Sequence, residues 1–253
     1  MKNNLYALVQ LIRVLIHLSM GSSLVLLYHF THGKHWYNKP GGLAMKRWWM
    51  QKMARLAGVK IAQYGQPPAS RCMYVANHIS FLDIVVISSI TDVRFLSKSS
   101  VKNWPLIGLM ASVSGTLFIR RGKKKLLARI VSTVGEALQD SSIVIFPEGT
   151  TSLGNEVKRF HSGLFQAAID NQILVQPVGL RYLKDNQLDR VAAYIEKDNF
   201  LVTLWQLLKR RETQVHVTFS GPVVADSDRQ TLADTCQTSI DNSLHDTLLV
   251  SVH

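Results

Sequence analysis

The first 82 residues of this 253-residue chain contain no aspartate or glutamate, against ten lysines and arginines. The far end is poor in cations: residues 222–253 carry one arginine and five aspartates. A net charge of +12 placed so unevenly suits either nucleic acid or an anionic lipid surface. The basic end is also strongly apolar and shows no groove-reading motif, so membrane lipid is the expected partner and nucleic acid is not. Cysteine is scarce, and two residues build no disulfide framework. Cys72 and Cys236 fall in apolar patterns and read as small core residues. The nine histidines lack the paired spacing of metal ligands, so no metal is expected. Neither Ser80 nor Ser162 lies in a GxSxG elbow, which argues against a serine nucleophile.

The length fits one domain of about 200 residues with an appendage. Residues 1–57 read as the appendage. Leu5 to Phe30 is mostly apolar, long enough for a spanning helix of about 20 residues. Yet Gln10, Arg13 and His17 fall on one side at helical spacing, and such a polar stripe favours a helix lying in the interface or packed on protein. Lys39-Pro40-Gly41-Gly42 marks a break. Trp36, Tyr37, Trp48 and Trp49, the last two among Lys46, Arg47, Lys52 and Arg55, suit a head-group region. The pattern predicts two membrane-associated helices joined by a turn, monotopic in preference to a single span. Arg13 interrupts the apolar run and no small-residue cleavage site follows, which argues against a cleaved signal peptide.

Residues 58–253 alternate short apolar runs with helical patterns. Strands are expected at 59–64, 72–76, 93–96, 116–119, 142–146, 174–180 and 214–220, with helices near 80–90, 123–138 and 160–171. A last helix is expected from Ser227, capped with Gln230 and striped by Leu232, Cys236, Ile240, Leu244 and Leu248. This order predicts an α/β fold with a mixed or mainly parallel sheet, whose strand-end loops carry the site.

Two such loops hold chemistry. Asn77-His78-Ile79-Ser80-Phe81-Leu82-Asp83 follows an apolar strand. On a continuous helix, residues five apart diverge by about 140° and cannot meet. They meet if His78 lies in the loop and Asp83 in the first helical turn, with Ser80 as N-cap. Asp83 then holds one imidazole nitrogen and leaves the other to accept a proton. Phe146-Pro147-Glu148-Gly149-Thr150 follows a second apolar strand; Gly149 permits close approach, and a carboxylate turned into a cleft needs a partner. A third strand, in Gly115-Thr116-Leu117-Phe118-Ile119-Arg120-Arg121, delivers two guanidiniums suited to a phosphate.

Together with Val175-Gln176-Pro177-Val178-Gly179, these segments resemble, in order and spacing, the four motifs of the phospholipid/glycerol acyltransferase family, best known from 1-acylglycerol-3-phosphate acyltransferases. NHxSxxD and FPEGT match completely; GxxFxxR matches through Gly115, Phe118 and Arg121. The resemblance covers about residues 59 to 182 and implies a single acyltransferase domain over 58–253. It implies His78 as general base, Asp83 as its orienter, and an acceptor held by Arg121, Arg120, Glu148, Gly149, Thr150 and Thr151. Pro177 falls on the acyl-donor side. The implied reaction moves a fatty acyl group from coenzyme A or acyl carrier protein to the free hydroxyl of a lysolipid, with no cofactor beyond these substrates, at the cytoplasmic face of the cell membrane.

One departure bears on the acceptor. Many phosphatidate-forming members carry arginine after FPEGT, where this chain has Thr151 and Ser152. The acceptor ranked first is 1-acylglycerol-3-phosphate, with lyso-ornithine lipid or another lysolipid as the alternative. Residues 146–152 and Trp104-Pro105-Leu106-Ile107-Gly108 also look similar to lyso-ornithine lipid acyltransferases. A non-catalytic lipid-binding assembly protein is a weaker reading, and a hydrolase using the same base is weaker again.

Overall fold

The computed structural model describes residues 2–33, 39–104, 106–119, 124–195 and 198–250. Trp36, Tyr37, Arg120 and Arg121 lie outside the described residues.

Eight strands form one sheet: β1 (Val59–Tyr64), β2 (Met73–Ala76), β3 (Val93–Lys98), β4 (Leu117–Ile119), β5 (Ser142–Ile145), β6 (Val175–Lys184), β7 (Gln187–Leu188) and β8 (Thr213–Phe219). Their order is β1-β8-β6-β2-β5-β3-β4, with β7 pairing β6. From β6 to β4 every neighbour is parallel; β8 runs antiparallel to β6 and carries β1 parallel to itself. β2 and β5 are buried at every position, as strands covered on both faces must be.

The period of two along β2 divides the core. Tyr74 and Ala76 face one layer with Leu82, Val86 and Ile87 of α3 (Leu82–Ile90). Met73 and Val75 face the other, with Val134 and Leu138 of α5 (Lys124–Asp140) and Leu232, Cys236, Ile240 and Leu244 of α8 (Arg229–Val250). The expected α8 stripe is therefore buried as far as Leu244. Its cap is Asp228 instead of Ser227: the Asp228 carboxylate accepts from the Gln230 and Thr231 N–H groups at 2.8 and 3.2 Å. The helix expected over 160–171 is a 3₁₀ turn at Ser162–Phe165 followed by the short α6 (Gln166–Asp170). Two helices were not foreseen, α4 (Ile107–Val113) and α7 (Phe200–Leu208). Both are short, and their apolar residues run without a clear period.

At the N-terminus lie α1 (Lys2–His32) and α2 (Pro40–Leu56). Among the described residues, only α1 is long and apolar enough to cross a membrane. The expected pair of membrane helices is thus one long apolar helix and a second that is docked on the domain. Lys46, Trp49, Met53 and Ala54 of α2 are buried. Lys46 donates to the Val93 carbonyl, Arg47 pairs with Asp92, and the Gln51 amide donates to the Ser89 carbonyl at 3.1 Å. The polar stripe of α1 faces α2. Gln10 donates to the Leu56 carbonyl at 3.3 Å, and the His17 ring stacks on Trp49 at 4.8 Å and 7°. Gly21 makes this approach possible, because a Cβ there would lie 2.3 Å from the Trp49 indole nitrogen. The opposite face of α1 exposes Leu5, Leu8, Val9, Ile12, Leu15, Ile16, Met20, Leu27 and Phe30. In water each would forgo part of the roughly 1.5–3 kcal/mol that full burial of such a side chain contributes.

Candidate active site

Register places the two chemical loops side by side. β2 pairs β5 with Met73 opposite Ile143 and Val75 opposite Ile145, so the residues leaving both strands emerge level at their C-terminal ends. Asn77 fixes the exit of β2 against β6, its amide donating to the Leu180 carbonyl at 2.9 Å and accepting from the Leu180 N–H at 2.7 Å.

The loop then folds around the Asp83 carboxylate. Oδ2 accepts from the Ile79 N–H at 2.8 Å and the Ser80 N–H at 3.0 Å, and lies 2.7 Å from His78 Nδ1. A carboxylate that already accepts two backbone donors is an acceptor toward the imidazole as well, so in the neutral ring Nδ1 carries the proton and Nε2 the lone pair. Oδ1 accepts from the Tyr182 hydroxyl at 2.8 Å. Asp83 has no exposed surface, whereas the His78 side chain is 22% exposed. Burial, reinforced by the neighbouring Asp83, raises the Tyr182 phenol well above its ordinary value, which keeps it a donor. Ser80 does not cap α3 as expected; its Oγ accepts only from the Leu82 N–H, at 3.3 Å.

Glu148 comes from the neighbouring turn. The Gly149 N–H donates to the Phe146 carbonyl at 3.1 Å, and Gly149 adopts φ 73°, the left-handed geometry that its lack of a side chain permits. Glu148 Oε1 accepts from the His78 N–H at 2.9 Å, while Oε2 is buried without a partner among the described residues. Burial pushes this carboxyl up to about 7, against the opposing pull of the His78 and Lys158 backbone N–H groups and of the His78 and Lys158 charges. Phe146 stacks on the imidazole at 4.1 Å and 18°. Ser152 closes the loop, its N–H donating to the His78 carbonyl at 2.8 Å. With the N–H groups of His78, Ile79 and Ser80 all engaged, none of the three is free to hold an oxyanion.

The remaining expected residues divide. Thr150 and Thr151 are half-buried beside Glu148, and the Thr151 carbonyl accepts from the Lys158 ammonium at 2.9 Å. Pro177 is placed opposite Val75 within the sheet, short of the level of His78. Tyr182, Lys158 and the ring role of Phe146 were not foreseen. Tyr182 lies 99 positions from its partner, inside the buried run of β6, so only its phenol there hinted at a polar task.

The family model described as Acyltransferase matches residues 51–181, the stretch that holds both loops. This chain belongs to the acyltransferase family. A lyso-ornithine lipid O-acyltransferase of Pseudomonas aeruginosa is 34% identical over 199 residues, covering 78% of this chain and 76% of that protein. A 1-acyl-sn-glycerol-3-phosphate acyltransferase of Neisseria meningitidis serogroup B is 33% identical over 189 residues, covering 72% and 73%. The crystal structure of PlsC, the 1-acyl-sn-glycerophosphate acyltransferase of Thermotoga maritima, superposes with a TM-score of 0.71 over 97% of this chain and 96% of that one. At 16% identity that likeness speaks for the fold alone. The chain is an enzyme of the acyltransferase class.

Proposed function

We propose that this acyltransferase moves a fatty acyl group from a coenzyme A or acyl carrier protein thioester to the free hydroxyl of a membrane lysolipid. The observation that carries the reading is the Asp83 carboxylate, whose acceptor role leaves Nε2 of the partly exposed His78 side chain as the base. Nε2 takes the proton of the acceptor hydroxyl while its oxygen bonds to the thioester carbonyl carbon. The tetrahedral adduct then collapses, the C–S bond breaks, and the departing thiolate takes the proton back from the imidazolium. The thioester is already activated, so positioning and proton transfer suffice.

Residues 1–57 serve as the membrane-associated segment and 58–253 as the catalytic domain, at the cytoplasmic face where thioesters occur. α1 lies along α2 from Gln10 to Gly21, which favours a monotopic seat over a lone span.

For the acceptor, 1-acylglycerol-3-phosphate is supported by the Lys158 ammonium at the turn where Thr151 replaces a cation. Lyso-ornithine lipid is the second reading, favoured by Thr151 itself and by the Pseudomonas aeruginosa relative. Purified enzyme, one acyl thioester and a panel of lysolipids scored by product mass test the proposal. Thioester consumption without any acylated lipid would overturn it.

A further inference from the structure

Two short elements beside α1 expose apolar side chains that the catalytic site does not use. Leu201 and Val202 at the start of α7 are 70% and 53% exposed. Trp104, with Ile107 and Leu109 of α4, is also exposed. Their orientation is fixed, because the Asn199 side chain accepts from the Leu201 and Val202 N–H groups at 3.0 and 3.3 Å. Both elements pack against α1: Met110 and Leu208 share one buried cluster with Ala7 and Val14. α4 and α7 thus adjoin the helix that bears the exposed apolar face. Among the described residues, Lys98, Lys102 and Arg211 are exposed on or beside these elements, against the exposed carboxylates of Asp198 and Glu212.

The same surface reaches the His78 loop through aromatic contacts. Phe200 meets Trp104 edge-on at 5.4 Å and Phe81 at 4.9 Å, and Phe81 lies between His78 and Asp83 in the chain. Tyr194 also packs on Phe81, and its N–H donates to the Ile79 carbonyl at 2.9 Å.

We propose that Leu201, Val202, Trp104, Ile107 and Leu109 form a second lipid-contacting surface, which seats the His78 loop against the bilayer so that a lipid acceptor reaches the base without crossing water. The proposal rests on the lysolipid reading above. Its occupant is an anionic lipid surface, because the patch adjoins the helix that bears the exposed apolar face and, among the described residues, exposed cations outnumber exposed carboxylates beside it. A second copy of the chain or a carrier protein is thereby a competing occupant.

The test uses the full chain on vesicles of phosphatidylcholine with about a third phosphatidylglycerol. Cys72 and Cys236 are fully buried, so Val202→Cys can be labelled selectively with a polarity-sensitive fluorophore. On vesicle addition the label should shift to the blue and be quenched by spin-labelled acyl chains. An unshifted label on vesicle-bound protein overturns the proposal. So does a shift produced by raising protein concentration or by adding carrier protein, without lipid. The paired variant Leu201→Asp with Val202→Glu places acids in the first turn of α7, where a helix tolerates them, so folding is preserved. It should lose at least about tenfold in transfer to a vesicle-borne lysolipid while staying within about twofold on a monomeric short-chain one. Equal loss on both acceptors overturns the proposal. The fluorescence needs no turnover, and short-chain activity tests the acyltransferase reading by itself.

Discussion

The Tyr182 hydroxyl donates to Asp83 Oδ1 at 2.8 Å, on the far side of the carboxylate from His78. All donors to Asp83 thus converge in one buried site, and the imidazole is held from behind by a carboxylate that cannot rotate. Tyr182→Phe keeps the ring and removes that donor. Loss of one hydrogen bond to a charged group is worth about 1.5–3 kcal/mol, part of which should appear at the transition state. We expect kcat to fall about tenfold with the acceptor KM within about twofold. A variant with normal kcat would show that the backbone donors alone fix Asp83.

His78→Ala removes the base, and transfer should fall by roughly 100- to 10,000-fold with the fold intact. Asp83→Asn should be comparably severe, because the carboxamide can present its NH₂ to Nδ1 and reverse the tautomer. Steady-state transfer together with circular dichroism distinguishes lost chemistry from lost structure.

Glu148 sets the expected pH dependence. The folded protein holds this proton up to about 7, whereas an unfolded glutamate releases it near 4.5. Between those values the folded state binds more protons, so stability falls as pH rises through that window and is level below it. Glu148→Gln should flatten that segment of the curve in denaturant titrations. It should also reduce any change in acceptor KM between about pH 6 and 8, where the wild-type carboxyl changes charge and the glutamine does not.

Direct transfer predicts no acyl-enzyme. Burial pushes the Cys72 and Cys236 thiols up to about 12, so neither supplies a thiolate at neutral pH. Mass spectrometry of enzyme with thioester donor alone should detect no adduct, and a competent adduct on either cysteine would refute the one-step scheme.

The acceptor is addressed at the turn after Glu148. Lys158→Gln should raise the KM for a phosphate-bearing lysolipid by roughly three- to tenfold if the ammonium meets its head group, and leave a lyso-ornithine lipid nearly unaffected. Thr151→Arg should shift preference toward the phosphate-bearing acceptor. The lysolipid panel measures both.

The strands and the two loops were legible because their signals are local. A buried parallel strand must be apolar throughout, and both loops begin where such runs stop. The expected bounds of β1, residues 59–64, are the observed ones. α4 and α7 were not legible, since each is too short to show a period and is held by packing against α1. The N-terminal polar stripe was legible as a face, yet Gln10 and His17 turn toward α2, and only the docked geometry distinguishes protein from membrane as their neighbour.

The sequence by itself determined the parts of the site: a histidine and an aspartate too far apart for one helical face, and a glutamate on a glycine turn. Tertiary structure decided how they act. The β2–β5 register brought the Glu148 carboxylate to the His78 N–H, the ten-residue β6 carried Tyr182 beneath Asp83, and the fold buried Glu148 deeply enough to raise its proton affinity. These relationships join residues 70 and 99 positions apart. Hydrogen bonds and desolvation act over a few ångströms, so chain separation conceals them until the sheet is assembled.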